Sequence, residues 1–259
     1  MTAPAFLLKW GSSGTGDGQF AYPAGVVVNT SGDVYVVDTQ NYRIQKFTSL
    51  GVYVSQWGSN GTGDGQFNKP SGIAVDSAGN VYVADTYNHR IQKFSSTGTF
   101  LSKFGSEGSD DGEFEYPYGI AVDTLGNVYV LDTFNYRIQK FTSDGTFITK
   151  WGSYGTNNGE FADPYGIGVN PLGKVYVVDT YNHRVQKFGK YVPPVPDPVD
   201  PVVPPLPNTT TTAGRQTNPA DGAITYQLNS MTAAEDVGSQ YDHLMILREV
   251  TNYDLRTKP

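Results

Sequence analysis

Residues 85–94 read DTYNHRIQKF, and residues 179–188 read DTYNHRVQKF. Near copies stand at 38–47 (DTQNYRIQKF) and 132–141 (DTFNYRIQKF), each 47 residues from the next. The same step links Trp10, Trp57, Phe104 and Trp151, and also Phe20, Phe67, Phe114 and Phe161, without one insertion or deletion. A fixed period of this length marks a repeat architecture. An Asp, an Asn and an Arg within six residues are also the makings of a catalytic or cation-binding cluster. One active site, however, has no use for four equivalent sets, whereas four identical hairpin turns do. Asp38, Asp85, Asp132 and Asp179, with Arg43, Arg90, Arg137 and Arg184, are therefore read as scaffold. In this reading Asn41, Asn88, Asn135 and Asn182 bond their own turns, and each Arg holds the Asp at the strand end.

Each repeat carries four strand signals. In the second copy they are PSGIAVD (70–76), NVYVAD (80–85), HRIQKF (89–94) and TFLSKFG (99–105). DSAG separates the first two, with Asp opening a turn and Gly free to take positive φ; VNTSGD, VDTLGN and VNPLGK repeat that grammar. The first two strands are almost continuously apolar, as expected of strands covered on both faces. A repeated four-stranded antiparallel unit of this size predicts an all-β fold, a β-propeller.

GIAVDSAGNVYVADTYNHRIQKF (72–94), preceded by WGSNGTGDGQFNKP (57–70), resembles the NHL repeat, and the resemblance extends over residues 5–188 in four copies. Such propellers usually have six blades. The family includes a metal-bearing lyase branch of the peptidyl-amidoglycolate type, and members that bind RNA through a strongly basic face. AFLLKWG (5–11) is a fourth-strand signal with no first three strands before it, and the last copy ends at Phe188 with three strands. The expectation is a four-bladed ring closed by the N-terminal strand completing the last blade, which would remove two sheet edges. The competing expectation is an incomplete arc, with oligomerisation if the four blades do not close.

The composition narrows the function. There is no cysteine, so thiol catalysis and thiolate metal sites are excluded. The net charge is −7, and residues 1–190 carry 14 Lys and Arg against 17 Asp and Glu. That balance lacks the footprint of nucleic-acid binding. No apolar run reaches the length of a membrane span, and MTAPAFLLKWG shows no signal-peptide pattern. Localisation is left open, with the low charge and the Thr, Tyr and Asn content leaning towards a surface or secreted protein. Domain organisation is read as a propeller over 1–190, a Pro/Thr-rich linker over 191–214 and a mostly disordered tail or domain stub over 215–259. The linker holds eight prolines between residues 191 and 207, and a short strand signal, AITYQL, lies at 223–228.

No cofactor or metal is expected. His89 and His183 occupy matched third-strand positions on alternate blades, too far apart to converge, and zinc requires three or four close ligands. Asn29, Asp76, Asp123 and Asn170 end the first strands and suit turn capping better than a carboxylate ring. What varies between copies is aromatic and falls in the loops of one propeller face. Tyr22, Tyr116, Tyr118 and Tyr165 precede or open the first strands; Tyr87, Phe134 and Tyr181 stand where the first copy has Gln40; Tyr42, His89, Tyr136 and His183 follow the Asn. Aromatic, lightly charged loops suit contact with a protein or a carbohydrate. The function expected is a non-enzymatic scaffold binding such a partner; the alternatives are a metal-dependent lyase or hydrolase in the channel, or a fragment of a longer repeat protein.

Overall fold

The computed structural model describes residues 4–189 and two short strands further on, and the chain divides into two compact units, Met1–Val192 and Pro193–Pro259. The first unit holds four antiparallel blades. Blade A is β1 (Pro23–Val28), β2 (Val34–Asp38), β3 (Arg43–Phe47) and β4 (Tyr53–Trp57). Blade B is β5 (Ile73–Val75), β6 (Val81–Asp85), β7 (Arg90–Phe94) and β8 (Phe100–Phe104). Blade C is β9 (Pro117–Val122), β10 (Val128–Asp132), β11 (Arg137–Phe141) and β12 (Phe147–Trp151), and blade D is β13 (Pro164–Val169), β14 (Val175–Asp179) and β15 (Arg184–Phe188). Blades A to C are four-stranded meanders and blade D has three strands. In the second unit, β16 (Arg215–Thr217) pairs with β17 (Ile224–Tyr226), the latter within the AITYQL signal. The Pro-rich stretch and the remainder of 215–259 lie outside the described residues.

Local chemistry sets the turns. Asn29 Oδ1 accepts from the N–H groups of Ser31 and Asp33 at 3.0 and 2.8 Å, and Asp76, Asp123 and Asn170 repeat this Asx turn between first and second strands. Between second and third strands a single 3-10 turn ends on a left-handed residue, at Tyr42, His89, Tyr136 and His183, with φ of 53–55°. Holding a bulky residue there costs on the order of 1–3 kcal/mol. It persists because every blade closes the same hairpin in the same register, as in Asp85 opposite Arg90.

Three hydrophobic clusters fill the junctions between consecutive blades. Tyr35, Val37 and Ile44 of blade A meet Val81 and Val83 of blade B, and Tyr129, Leu131 and Ile138 of blade C meet Val175 and Val177 of blade D. Blade B meets blade C through Tyr82, Ala84 and Ile91 against Val128 and Val130. Glycine sets how closely the inner strands approach: a Cβ on Gly25 would lie 2.5 Å from the Ser71 carbonyl, and one on Gly119 2.9 Å from that of Tyr165. At Gly166 the neighbours are Val178 atoms of its own blade.

The expected clasp is not formed. Residues 5–11 adopt no strand, and among the described residues none pairs with the outer edge of β15. Instead Trp10 packs against Phe47 of blade A, at a 5.8 Å centroid distance, just as Trp57 packs against Phe94 across the A–B junction. The segment thus takes the place that a preceding blade's fourth strand would hold. Each junction is built from the same contacts, so each contributes a similar step, and the four blades form an arc whose two end faces have no neighbouring blade among the described residues. Val26 of blade A is 65% exposed and Val185 of blade D 64%, although their counterparts Ile73 and Ile138 are buried.

Candidate binding face

The repeated Asp lies at the bottom of a buried hydrogen-bond set. Asp38 Oδ2 accepts from Arg43 Nε at 2.7 Å, Asn41 Nδ2 at 2.9 Å and Gln45 Nε2 at 3.1 Å, while Oδ1 accepts from the Ala21 N–H at 2.7 Å. Arg43 turns its other nitrogens to the carbonyls of Thr15, Gly16 and Gln19, pinning the Gly-rich loop that leads into the blade. Arg90, Arg137 and Arg184 do the same, each with an Nε–Oδ2 distance of 2.7–2.8 Å. With its acceptors and donors spent on loop and turn, this set has no group left to meet a substrate. Gln45, Gln92, Gln139 and Gln186 complete it, each accepting a loop N–H at 2.9 Å and donating to a loop carbonyl. Sequence reasoning passed over these glutamines, although their presence in all four copies was the available signal.

The loop before each first strand and the turn after each second strand lie on one face. The N–H groups of Gln40, Tyr87, Phe134 and Tyr181 donate to Ala21, Asn68, Glu115 and Ala162, all at 3.1 Å. That linkage gathers part of the aromatic set. Tyr116 meets Tyr87 at 5.1 Å, His89 at 4.5 Å and Phe134 at 5.2 Å between ring centroids. His89 Nδ1 accepts the Tyr116 N–H at 3.3 Å. Deeper, Tyr118 and Tyr165 meet edge to face at 5.0 Å. Burial, followed by the phenols of Tyr87, Tyr165 and Tyr116, pushes the Tyr118 hydroxyl up to about 12. The Lys69 ammonium sits over the Tyr87 ring at 4.8 Å. Lys69 occupies the left-handed position taken by Tyr22 and Tyr116 in their own blades, with φ of 46–50° in all three. It was missed because its role depends on a ring in the following turn.

Other members of the sequence-derived set stand apart from this cluster. Tyr22 is 83% exposed, Tyr136 meets Tyr154 rather than the cluster, and His183 and Tyr181 are exposed on blade D. Tyr42 is half-buried on blade A. Among the described residues, no three His, Asp or Glu side chains converge on a point that could hold a metal ion.

Below Tyr118 and Tyr165 the first strands of all four blades line a cavity of about 400 Å³. Its walls are glycines and the branched side chains of Val26, Ile73, Ile120 and Ile167. Ser71 supplies a hydroxyl, bonded at 2.9 Å to the Tyr118 carbonyl. The arrangement is an apolar pit with an aromatic rim, suited to accept an inserted side chain and without a placed acid–base pair.

A family model described as NHL repeat matches residues 20–47, 67–94, 114–141 and 161–188. The B-box type zinc finger protein ncl-1 of Caenorhabditis elegans is 51% identical over 43 residues, 17% of this chain and 5% of that protein. Protein brain tumor of Drosophila melanogaster is 49% identical over 43 residues, 17% of this chain and 4% of that protein. The chain therefore matches only a small part of these curated relatives. Among solved structures, an auxiliary nutrient binding protein from Bacteroides thetaiotaomicron gives a TM-score of 0.51 at 15% identity, covering 64% of this chain and 47% of that one. At that identity the likeness concerns the fold.

Proposed function

The chain belongs to the NHL-repeat family, and from that premise we propose that it is a non-enzymatic binding scaffold whose ligand is a protein segment docked on the aromatic face. The carrying observation is the cluster of Tyr87, His89, Tyr116 and Phe134 beside Tyr118 and Tyr165, at the mouth of the apolar cavity. Aromatic side chains offer large contact area at little entropic cost, and an apolar pit rewards one inserted side chain. A polypeptide is favoured over a carbohydrate because these rings meet one another edge to face or tilted, which uses ring surface that sugar stacking would need. The channel, lined by glycine and isoleucine with a single valine, favours binding over lyase or hydrolase chemistry.

The test is a selection of displayed peptides on the full chain, run beside a glycan array. Recovered peptides should share an apolar anchor residue and lose at least tenfold in affinity on the variant Tyr118→Ala, Phe134→Ala, Tyr165→Ala, with the strand signal in circular dichroism retained. Binding that survives in this folded variant, or a response confined to glycans, overturns the proposal.

A further inference from the structure

The two ends of the arc, which no blade covers among the described residues, are the two halves of one junction. Inside the molecule, each junction sets a Tyr and Ile face of one blade, with Val, Ala or Leu between them, against the Val–Val face of the next, as Tyr129, Leu131 and Ile138 meet Val175 and Val177. At the far end, blade D leaves Tyr176, Val178 and Val185 exposed, the counterparts of that first face. At the near end Val34, the counterpart of Val175, is itself buried, while the first strand of blade A leaves Val26 and Val28 exposed, the counterparts of Ile73 and Val75 on the face where blade B receives its neighbour.

Among the described residues blade D also has no fourth strand. Phe100 and Phe147, from the fourth strands of blades B and C, pack on Phe94 and Phe141 at 6.0 and 5.9 Å. In blade D the equivalent place is a cavity of about 990 Å³ walled by Trp151, Val175 and Phe188. By the 47-residue step, the counterpart of Phe100 and Tyr53 is Phe6, which is 77% exposed. Residues 5–10 already lie where a preceding blade's fourth strand belongs, with Trp10 against Phe47.

We propose that the propeller arc associates head to tail with a second copy of this chain, blade A of one copy stacking on blade D of the other. In that stacking, residues 6–10 of the incoming copy pair with β15 of the first. The register follows from β7 and β8, where Ile91 faces Phe104, Lys93 faces Ser102 and Phe94 faces Phe100. Val185 then faces Trp10 of the second copy, Lys187 faces its Leu8, and Phe188 receives its Phe6. Stacking and strand addition are a single event, because the segment travels in place with blade A. The contact is heterologous, so it closes into a ring where the rotation permits and extends as a filament where it does not. It uses the blade faces and strand edges rather than the aromatic rings, and of its residues Val26 alone also walls the cavity of the peptide-binding reading.

The chain has no cysteine, which allows a clean test. Full-length Leu8→Cys and full-length Lys187→Cys are purified separately, mixed and oxidised. The expected result is a disulfide-linked heterodimer from the mixture, with light scattering showing a mass of two or more copies for the unmodified protein. Val185→Lys, at a position already exposed, should reduce that mass to one copy with an unchanged strand signal. A single-copy mass at all concentrations overturns the proposal. So does a cross-link that forms only within the double variant, which would mean closure within one chain, and so does an assembly that Val185→Lys leaves intact.

Discussion

His89 and His183 share a motif and a backbone conformation, yet one is buried against Tyr116 and the other stands in solvent on the open blade. At His183 the side chain contributes little to packing while the backbone stays at φ 53°. His183→Gly should therefore raise stability by about 0.5 kcal/mol, since glycine enters the left-handed region without steric cost, partly offset by its freer unfolded state. A shift of the urea midpoint to higher concentration is the expected reading; a shift to lower concentration would show that the imidazole packs after all. Tyr118 offers a second residue-scale test. An ordinary tyrosine ionises near 10, and burial among phenols pushes this one up to about 12. The neutral phenol is the form the fold supports, so its contribution is complete below about 10 and is lost as pH rises through about 12. In an absorbance titration, Tyr118→Phe should remove amplitude from the late phase and leave the phase near 10 unchanged. Loss from the early phase would show that the ring is solvated and the cleft open.

The hairpin shows what sequence can and does not disclose about an element. The strands were legible because apolar residues recur with a fixed period and Asx and Gly residues punctuate them. The left-handed hairpin residue could not be read, since Tyr and His rarely adopt that conformation and only the closed register enforces it. Nor could the loop-pinning role of the arginine, whose carbonyl partners lie 24 to 28 residues earlier in the chain. The fourth-strand signal of residues 5–11 was real as a propensity, but a strand signal does not name its partner, and Trp10 found Phe47 instead. The arginine sets up a graded test. Arg137 is 8% exposed and its loss strands the buried carboxylate of Asp132, so Arg137→Met should cost about 3–5 kcal/mol. The Arg184 side chain is 27% exposed at the open end, and Arg184→Met should cost clearly less. Equal losses in chemical denaturation would contradict the end-blade difference.

The Asp–Asn–Arg–Gln set is the same in all four blades, so a difference between its copies reports their surroundings, their place in the arc among them. The aspartates of blades C and D make this measurable. Burial acts to raise both carboxyls. For Asp132, inside the arc, burial prevails over the Glu115 N–H and the Arg137 and Asn135 side chains, and the group stands above the ordinary carboxylate range. For Asp179, on the open blade, the Ala162 N–H, Asn182, Arg184 and Gln186 outweigh burial, and the group stands below it. The signs are opposite. Asp179 supports folding above its unfolded value of about 3.9, and that support disappears as pH falls through its lower folded value. Asp132 supports folding below about 3.9, and that support is lost as pH rises through its higher folded value. Acidification from neutrality towards pH 3 should therefore loosen blade D while blade C holds. Hydrogen exchange corrected for intrinsic rate should show protection falling first across β14 and β15, with β10 and β11 following only at global unfolding. Simultaneous loss in both blades would mean that the arc unfolds as one unit and that its open end carries no separate weakness. Asp179→Asn, which removes the titrating group, should abolish the early phase while leaving the global one in place.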